Sequence, residues 1–480
     1  MSIFNLFGIS FFFNISEYVL SLVSTVFITK KLSVFDFGNY NLLNTIAGLV
    51  FTFFSLGLSQ YNYKILPGRD KPEQDKIIGN SLFVELVSSV FGLAAIILLV
   101  KNKLEVGKIV IIFFILKVLY CVINYELIRC LGYRKKNVLK SVFAFINEKF
   151  WVIPLLVIIS FGKTVSLNSI FCIQSIISFI VLLCLLFVFR SKILFKNFCF
   201  NKQFIKDYIG KSISFVFIDV GMYFLESGVR YILFSYGTKD SVGLYSFGYN
   251  WISIIFKFGM LLVYLLQPYF SNEYYKIEKN EVSNYTKLYN YENFALKYSM
   301  YIIVFALTFF LLNFDELVIL IGKSDYLKTK DSVFMFSLLP ITMCLTYFFQ
   351  ILLVLAGKTK EIPICYCIVV VAVIVANYFF VPLFDYKASA LITSISYCIL
   401  MIVFYIICPK NLFHFNLHFF DFLSFFLFLI VFAISVLLIK KLQISFIKYL
   451  LDFFLILITM FLICLVNKKD FKFFKTEHLS

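Results

Sequence analysis

The amino-acid sequence predicts an all-α polytopic membrane protein of about 14 transmembrane helices, with two six-helix lobes around a central cavity and two further C-terminal helices. Three observations predict it. First, 61% of the 480 residues belong to the apolar set AVILMFWYC and only 15% are charged, against about 45–50% and 25% in soluble domains. Second, the mean hydropathy is +0.92, so polar side chains are too few to coat a water-soluble particle. Third, apolar runs of ~20 residues, the length of one bilayer crossing, recur along the whole chain. Soluble enzymes, DNA-binding domains and disordered tails are excluded.

Cut at charge clusters and at Gly/Pro, the chain gives spans near 8–29, 40–60, 78–100, 109–128, 141–161 and 168–189. A second set follows at 212–235, 244–270, 296–320, 333–356, 362–383 and 388–408, and a last pair at 419–439 and 448–467. Backbone groups in lipid must bond internally, so each run is a helix. The first 29 residues hold no Lys or Arg and no small-residue cleavage site, so the first span is expected to stay in the mature protein. Pro154, Pro268 and Pro340 fall inside spans, where they are expected to kink helices. The domain division is an N-terminal lobe at 1–189, a basic linker at 190–211, a C-terminal lobe at 212–408, and the last spans with the tail at 409–480.

The formal net charge of +17 fits basic loops on the cytoplasmic side of a membrane. With an even number of spans and the N-terminus inside, the cytoplasmic segments hold nearly twice as many Lys and Arg as the external ones. The richest are Arg129 to Lys140, with Arg134, Lys135 and Lys136, and Arg190 to Lys211, with Lys192, Lys196, Lys202 and Lys206. Both termini are therefore expected to be cytoplasmic. A weak internal repeat supports two halves: Phe37-Gly38-Asn39-Tyr40 after span 1 and Val242-Gly243-Leu244-Tyr245 after span 7.

The spans that lead each half carry polar stripes at helical spacing. Span 1 aligns Asn14, Glu17, Ser21 and Ser24, and span 2 aligns Asn41, Asn44, Gly48, Ser55 and Ser59. Span 7 aligns Asp219, Tyr223, Glu226 and Arg230, and span 8 aligns Ser246, Asn250, Ser253, Lys257, Tyr264 and Gln267. Small polar residues commonly glue helices, and that is the reading for Ser21, Ser24, Asn41 and Gly48. Charges are different, because a charge in a span should face protein or a wet cavity. Lys117, Glu148, Lys149 and Glu85 add intramembrane charge. Glu226 and Arg230, four apart, also suit a simple ion pair.

Most of the 11 Cys lie in apolar runs, and the Cys365/Cys367 spacing fits neither a zinc nor a redox motif. His414 and His418 share a helical face without a third ligand nearby, which suits the membrane interface. No nucleotide-binding P-loop, dinucleotide fingerprint or nucleophile elbow is present, so an ATP-driven pump is out and no cofactor is expected.

The sequence resembles Wzx-type O-antigen flippases, the polysaccharide flippases of the MOP (multidrug/oligosaccharidyl-lipid/polysaccharide) exporter superfamily. The resemblance rests on Leu32-Ser33-Val34-Phe35-Asp36-Phe37-Gly38-Asn39-Tyr40, Phe54-Ser55-Leu56-Gly57-Leu58-Ser59-Gln60-Tyr61 and Val242-Gly243-Leu244-Tyr245-Ser246. Leu266-Gln267-Pro268-Tyr269-Phe270-Ser271 and Leu355-Ala356-Gly357-Lys358-Thr359-Lys360 extend it over nearly the whole chain. It implies two six-helix lobes around a V-shaped cavity that opens to each side in turn. The implied cargo is an oligosaccharide repeat unit on undecaprenyl pyrophosphate, moved across the bacterial inner membrane, with the polysaccharide polymerase and chain-length regulator as further partners. Lys117, Lys149, Arg230 and Lys257 would supply positive charge to the lumen. Glu17, Asp219 and Glu226 would bind H⁺ or Na⁺ if flipping is ion-coupled.

A cation-coupled multidrug exporter of the same superfamily is the alternative, although its lumen should be more apolar and acidic. An O-antigen polymerase would usually carry one long periplasmic loop, which this chain lacks. A membrane scaffold would not need four intramembrane bases.

Overall fold

The computed structural model describes residues 3–66, 71–101, 106–133, 136–162, 164–189, 202–278, 285–321 and 323–413. Among them every regular element is helical. The order is α1 (Ile3–Lys31), α2 (Val34–Phe54), α3 (Leu58–Ile65), α4 (Lys71–Lys101), α5 (Lys108–Tyr133), α6 (Asn137–Lys149), α7 (Val152–Ser160) and α8 (Leu167–Phe189). Then come α9 (Lys202–Tyr223), a π turn (Phe224–Gly228), α10 (Val229–Tyr236), α11 (Ser241–Glu278), α12 (Thr286–Leu312) and α13 (Phe314–Ile321). A 3₁₀ turn (Ser324–Thr329), α14 (Lys330–Met335), α15 (Leu339–Leu355) and α16 (Glu361–Ile407) complete it. The spans expected at 419–439 and 448–467, both His residues of the 414–418 phrase, the tail and most of the 190–211 linker lie outside the described residues.

Among the described residues, seven helices are long and apolar enough to cross a membrane, and two bent pairs qualify as broken spans. One pair is Val138–Lys149 with Val152–Ser160, bent by 40°, and the other is Ser324–Met335 with Leu339–Leu355, bent by 48°. Pro154 and Pro340 lie just after these breaks, in the first turn of α7 and α15, where the missing N–H costs no helical bond. By contrast α11 runs unbroken through Pro268. The spans expected at 362–383 and 388–408 are both within α16, which is kinked at Asp385 (φ 54°, ψ −142°) three residues after Pro382. Side chains hold this left-handed residue in place. Thr238 Oγ1 donates to Asp385 Oδ2 at 3.0 Å, the Ser241 hydroxyl donates to Oδ1, and Ser389 Oγ donates across the kink to Asn377 Oδ1 at 2.5 Å.

The described residues fall into two compact units. One comprises those within Met1–Asn250, Ile321–Thr329 and Thr359–Thr393; the other those within Trp251–Leu320, Lys330–Lys358 and Ser394–Ser480. In the first, α5 packs along α8, α1 along α6, and α2 against α4 and α9. Ile78, Leu82, Leu127, Leu131, Val181 and Leu185 form a buried core joining α4, α5 and α8. In the second, Phe270, Leu288, Tyr291 and Leu412 form a smaller core, and Trp251 stacks on Phe310 with ring centroids 5.3 Å apart.

Local chemistry explains the sequence motifs in the first unit. Ser33 caps α2: its Oγ accepts from the Asp36 amide at 3.0 Å and donates to Asp36 Oδ2 at 2.8 Å, satisfying one of the free N–H groups of the first turn. One turn on, the two copies of the internal repeat meet. A Cβ on Gly38 would lie 2.9 Å from the Gly243 nitrogen, and a Cβ on Gly243 would lie 2.2 Å from the Val34 carbonyl oxygen. Only hydrogen fits at this crossing of α2 and α11. The Phe54–Tyr61 motif is the break between α2 and α3, with Leu56 and Gly57 at φ 53° and 62°. Ser212 clamps it by donating to the Leu56 carbonyl at 2.7 Å.

Candidate functional site

Arg230 is the most deeply buried of the four predicted bases, with 5% of its surface exposed. It is the second residue after the π turn Phe224–Gly228, an irregularity frequent at functional sites. Four neutral oxygens hold its guanidinium. Nε donates to Ser246 Oγ at 2.9 Å, Nη1 to Ser227 Oγ at 3.0 Å and Thr45 Oγ1 at 3.4 Å, and Nη2 to Asn250 Oδ1 at 3.2 Å. The Tyr249 ring lies 5.2 Å from Cζ, within cation–π range. The fork geometry of Arg reaches acceptors on several elements at once, so α2, α10 and α11 are fixed around one positive charge.

The polar stripe of α2 continues from this charge to a second. Asn250 Nδ2 donates to Asn41 Oδ1 at 3.3 Å, and Asn41 Nδ2 to the Phe37 carbonyl at 2.8 Å. Lys117, on α5, donates to Asn44 Oδ1 at 2.7 Å, and its ammonium lies 5.6 Å from the Phe171 ring centroid. Tyr223 donates to the Asn44 carbonyl at 3.2 Å. Its hydroxyl lies where a Cβ on Gly48 would be, 1.9 Å away, so Gly48 serves as a seat for Tyr223. Asn41, Asn44, Thr45 and Gly48 thus form one face linking Arg230 to Lys117.

The remaining predicted residues are distributed more widely. Glu226, in the π turn, and Asp219, on α9, are half-buried in the same unit as Arg230. Glu17 is half-buried on α1, where its carbonyl accepts from Ser21 Oγ at 2.8 Å. Lys149 ends α6 at the 40° bend, half-buried, and Glu148 beside it takes the Tyr125 hydroxyl. Lys257 lies on α11 in the second unit, with an exposed side chain. Ser21 and Ser24 bond to backbone carbonyls of their own helix, in keeping with a packing role. Thr45 and Ser227 escaped the sequence reading because one hydroxyl in an apolar run carries no signal by itself. Arg129, assigned from sequence to the loop after span 4, lies inside α5, where it pairs with Glu126.

Fold and site together define a multi-pass, all-helical membrane protein with buried bases on polar faces. The family model described as polysaccharide biosynthesis protein matches residues 7–273, more than half of the chain. The chain belongs to that family. Its fold is similar to that of the lipid II flippase MurJ in an inward closed conformation, at a TM-score of 0.69 and 16% identity, over 97% of this chain and 99% of that one. An inward-facing multidrug resistance MATE family transporter of the MOP superfamily matches at a TM-score of 0.58 and 13% identity, over 86% of this chain and 95% of the other. The MATE multidrug transporter DinF-BH matches at a TM-score of 0.59 and 14% identity, over 85% of this chain and 95% of the other. No curated protein matches the sequence.

Proposed function

We propose that this protein is a flippase for undecaprenyl-pyrophosphate-linked oligosaccharide, an O-antigen repeat unit or a similar polysaccharide precursor, working by alternating access in the bacterial inner membrane. The observation that carries the reading is Arg230, a buried guanidinium held by neutral oxygens and joined through the α2 face to Lys117. Placing a charge at membrane depth is costly. A base kept there among neutral oxygens leaves its charge available to an anion, and a pyrophosphate head group supplies one. The Asn and Ser groups around it suit sugar hydroxyls. Lys149 and Lys257 are proposed to add positive charge along the route, and Glu17, Asp219 and Glu226 are the candidates for H⁺ or Na⁺ coupling. Both termini are proposed to be cytoplasmic, with the polysaccharide polymerase and chain-length regulator acting on the product.

The multidrug reading has the MATE fold likeness in its favour. A buried, fixed guanidinium argues against it for cationic drugs, which it would repel. The experiment is a chromosomal disruption complemented with wild type or Arg230→Met. Loss of surface polysaccharide, with lipid-linked repeat units accumulating on the cytoplasmic face, is the expected result in the disruption and with Arg230→Met. Normal polysaccharide together with increased sensitivity to cationic drugs would transfer the reading to the exporter.

A further inference from the structure

The first unit holds a second buried polar centre, remote in sequence from Arg230 and absent from its hydrogen-bonding network. Glu85 of α4 is 2% exposed, and neither of its carboxyl oxygens has a hydrogen-bond donor. The group facing it is another carboxyl, that of Glu126 on α5, which is 7% exposed. Arg129, one turn further along α5, pairs with Glu126. Helix geometry agrees with this juxtaposition. At 1.5 Å per residue, Glu85 lies ~24 Å before the end of α4 and Glu126 ~27 Å after the start of α5, so the two reach the same depth in adjacent antiparallel helices.

Two ionised carboxylates are acceptors only and cannot bond each other. Buried face to face they repel, and an ionised Glu85 with no donor would be strongly disfavoured. One proton between them resolves both problems: the protonated carboxyl donates to the ionised one, which remains paired with Arg129. Among the described side chains, the charged groups acting on Glu85 are Glu126 and Arg129, both from α5. A metal ion is a poorer occupant, because Arg129 repels it and, among the described residues, no group of three or more His, Cys, Asp or Glu could hold one.

We propose that Glu85 and Glu126 form a proton-binding carboxyl pair, holding one proton between them, with Arg129 balancing the remaining negative charge. The proton enters from water and leaves to it, with no other bond made or broken. About a third of the Arg129 side chain is exposed (34%), so the pair reaches the surface of the helical unit.

The test uses the full-length protein in lipid nanodiscs. Infrared difference spectra of wild type minus Glu85→Gln at neutral pH should contain the C=O stretch of one protonated carboxyl. That signal should vanish from wild type on raising the pH. The melting temperature of wild type should fall over the same range, because proton release leaves two like charges, and that of Glu85→Gln should stay level. Should Glu85→Gln fail to fold, Glu126→Gln serves instead: it leaves a single carboxyl to pair with Arg129, so the protonated signal should again be missing. A spectrum identical in wild type and variant would overturn the proposal. So would a melting temperature that rises with added Na⁺ in wild type and not in the variant, at constant pH.

Discussion

Arg230 and Glu85 are buried in the same helical unit, yet their surroundings are opposite in kind. Around Arg230 stand Ser227, Ser246, Thr45 and Asn250, neutral acceptors from α2, α11 and the π turn, which take four of its five N–H donors. Around Glu85 stands a second carboxyl, with an arginine beyond it that is already paired. Hydrogen bonding satisfies the first site and leaves its charge uncancelled. The second is incomplete until a proton is added. These two sites therefore hold buried charge in different ways, one on neutral hydrogen bonds and one against a like charge.

The largest effect should follow from removing the displayed charge. Arg230→Met should reduce surface polysaccharide at least ~10-fold, since a hydrogen bond to a charged group is worth about 1.5–3 kcal/mol and 1.4 kcal/mol is tenfold in affinity. Protein in the membrane, quantified by immunoblot, should be unchanged, and Arg230→Lys should retain part of the function because a point charge replaces the fork only incompletely. Equal activity of all three would break the comparison by making Arg230 a packing residue.

Next comes the helix crossing that aligns α2 with α11. Gly243→Ala forces a methyl to 2.2 Å from the Val34 carbonyl and should cost about 1–3 kcal/mol, measured as a lower unfolding midpoint in detergent. Gly38→Ala, whose nearest contact is 2.9 Å, should cost less. The reverse order would mean that the crossing relaxes around Gly243.

A smaller change is expected on the α2 face itself. Asn44→Ala removes the oxygen that holds Lys117 and should reduce transport in vesicles several-fold, about 1–2 kcal/mol. Its phenotype should be weaker than that of Arg230→Met. The smallest belongs to a single neutral ligand: Ser246→Ala removes one of the four acceptors and should cost about 1 kcal/mol or less. Combined with Thr45→Val, the loss should exceed the sum of the single effects, because both oxygens serve one guanidinium. Strict additivity would mean that the four acceptors act independently.

Much of this was legible without coordinates. The apolar runs located the helices, and the steps of three and four along spans 2, 7 and 8 marked Asn41, Asn44, Arg230, Ser246 and Asn250 as polar faces. The repeated glycine phrase pointed to Gly38 and Gly243. The pairing was not legible. Arg230 and Thr45 are 185 positions apart, and nothing in either neighbourhood names the other. Glu226, four residues before Arg230, was the natural partner by spacing, but the guanidinium is held by Ser227, Ser246, Thr45 and Asn250 instead.

The sequence by itself determined the class of protein, the approximate positions of the spans within the described residues and the polar faces of its leading helices. Transfer of a side chain out of water and the 3.6-residue period of a helix are local properties, so they can be read along one segment at a time. The tertiary structure alone decided that the two repeat copies touch through their glycines, that a left-handed Asp385 kinks α16, and that Glu85 meets Glu126 while Arg230 meets only neutral oxygens. These outcomes depend on which helix faces pack together and at what depth, a relation between segments distant in the chain that no local period encodes.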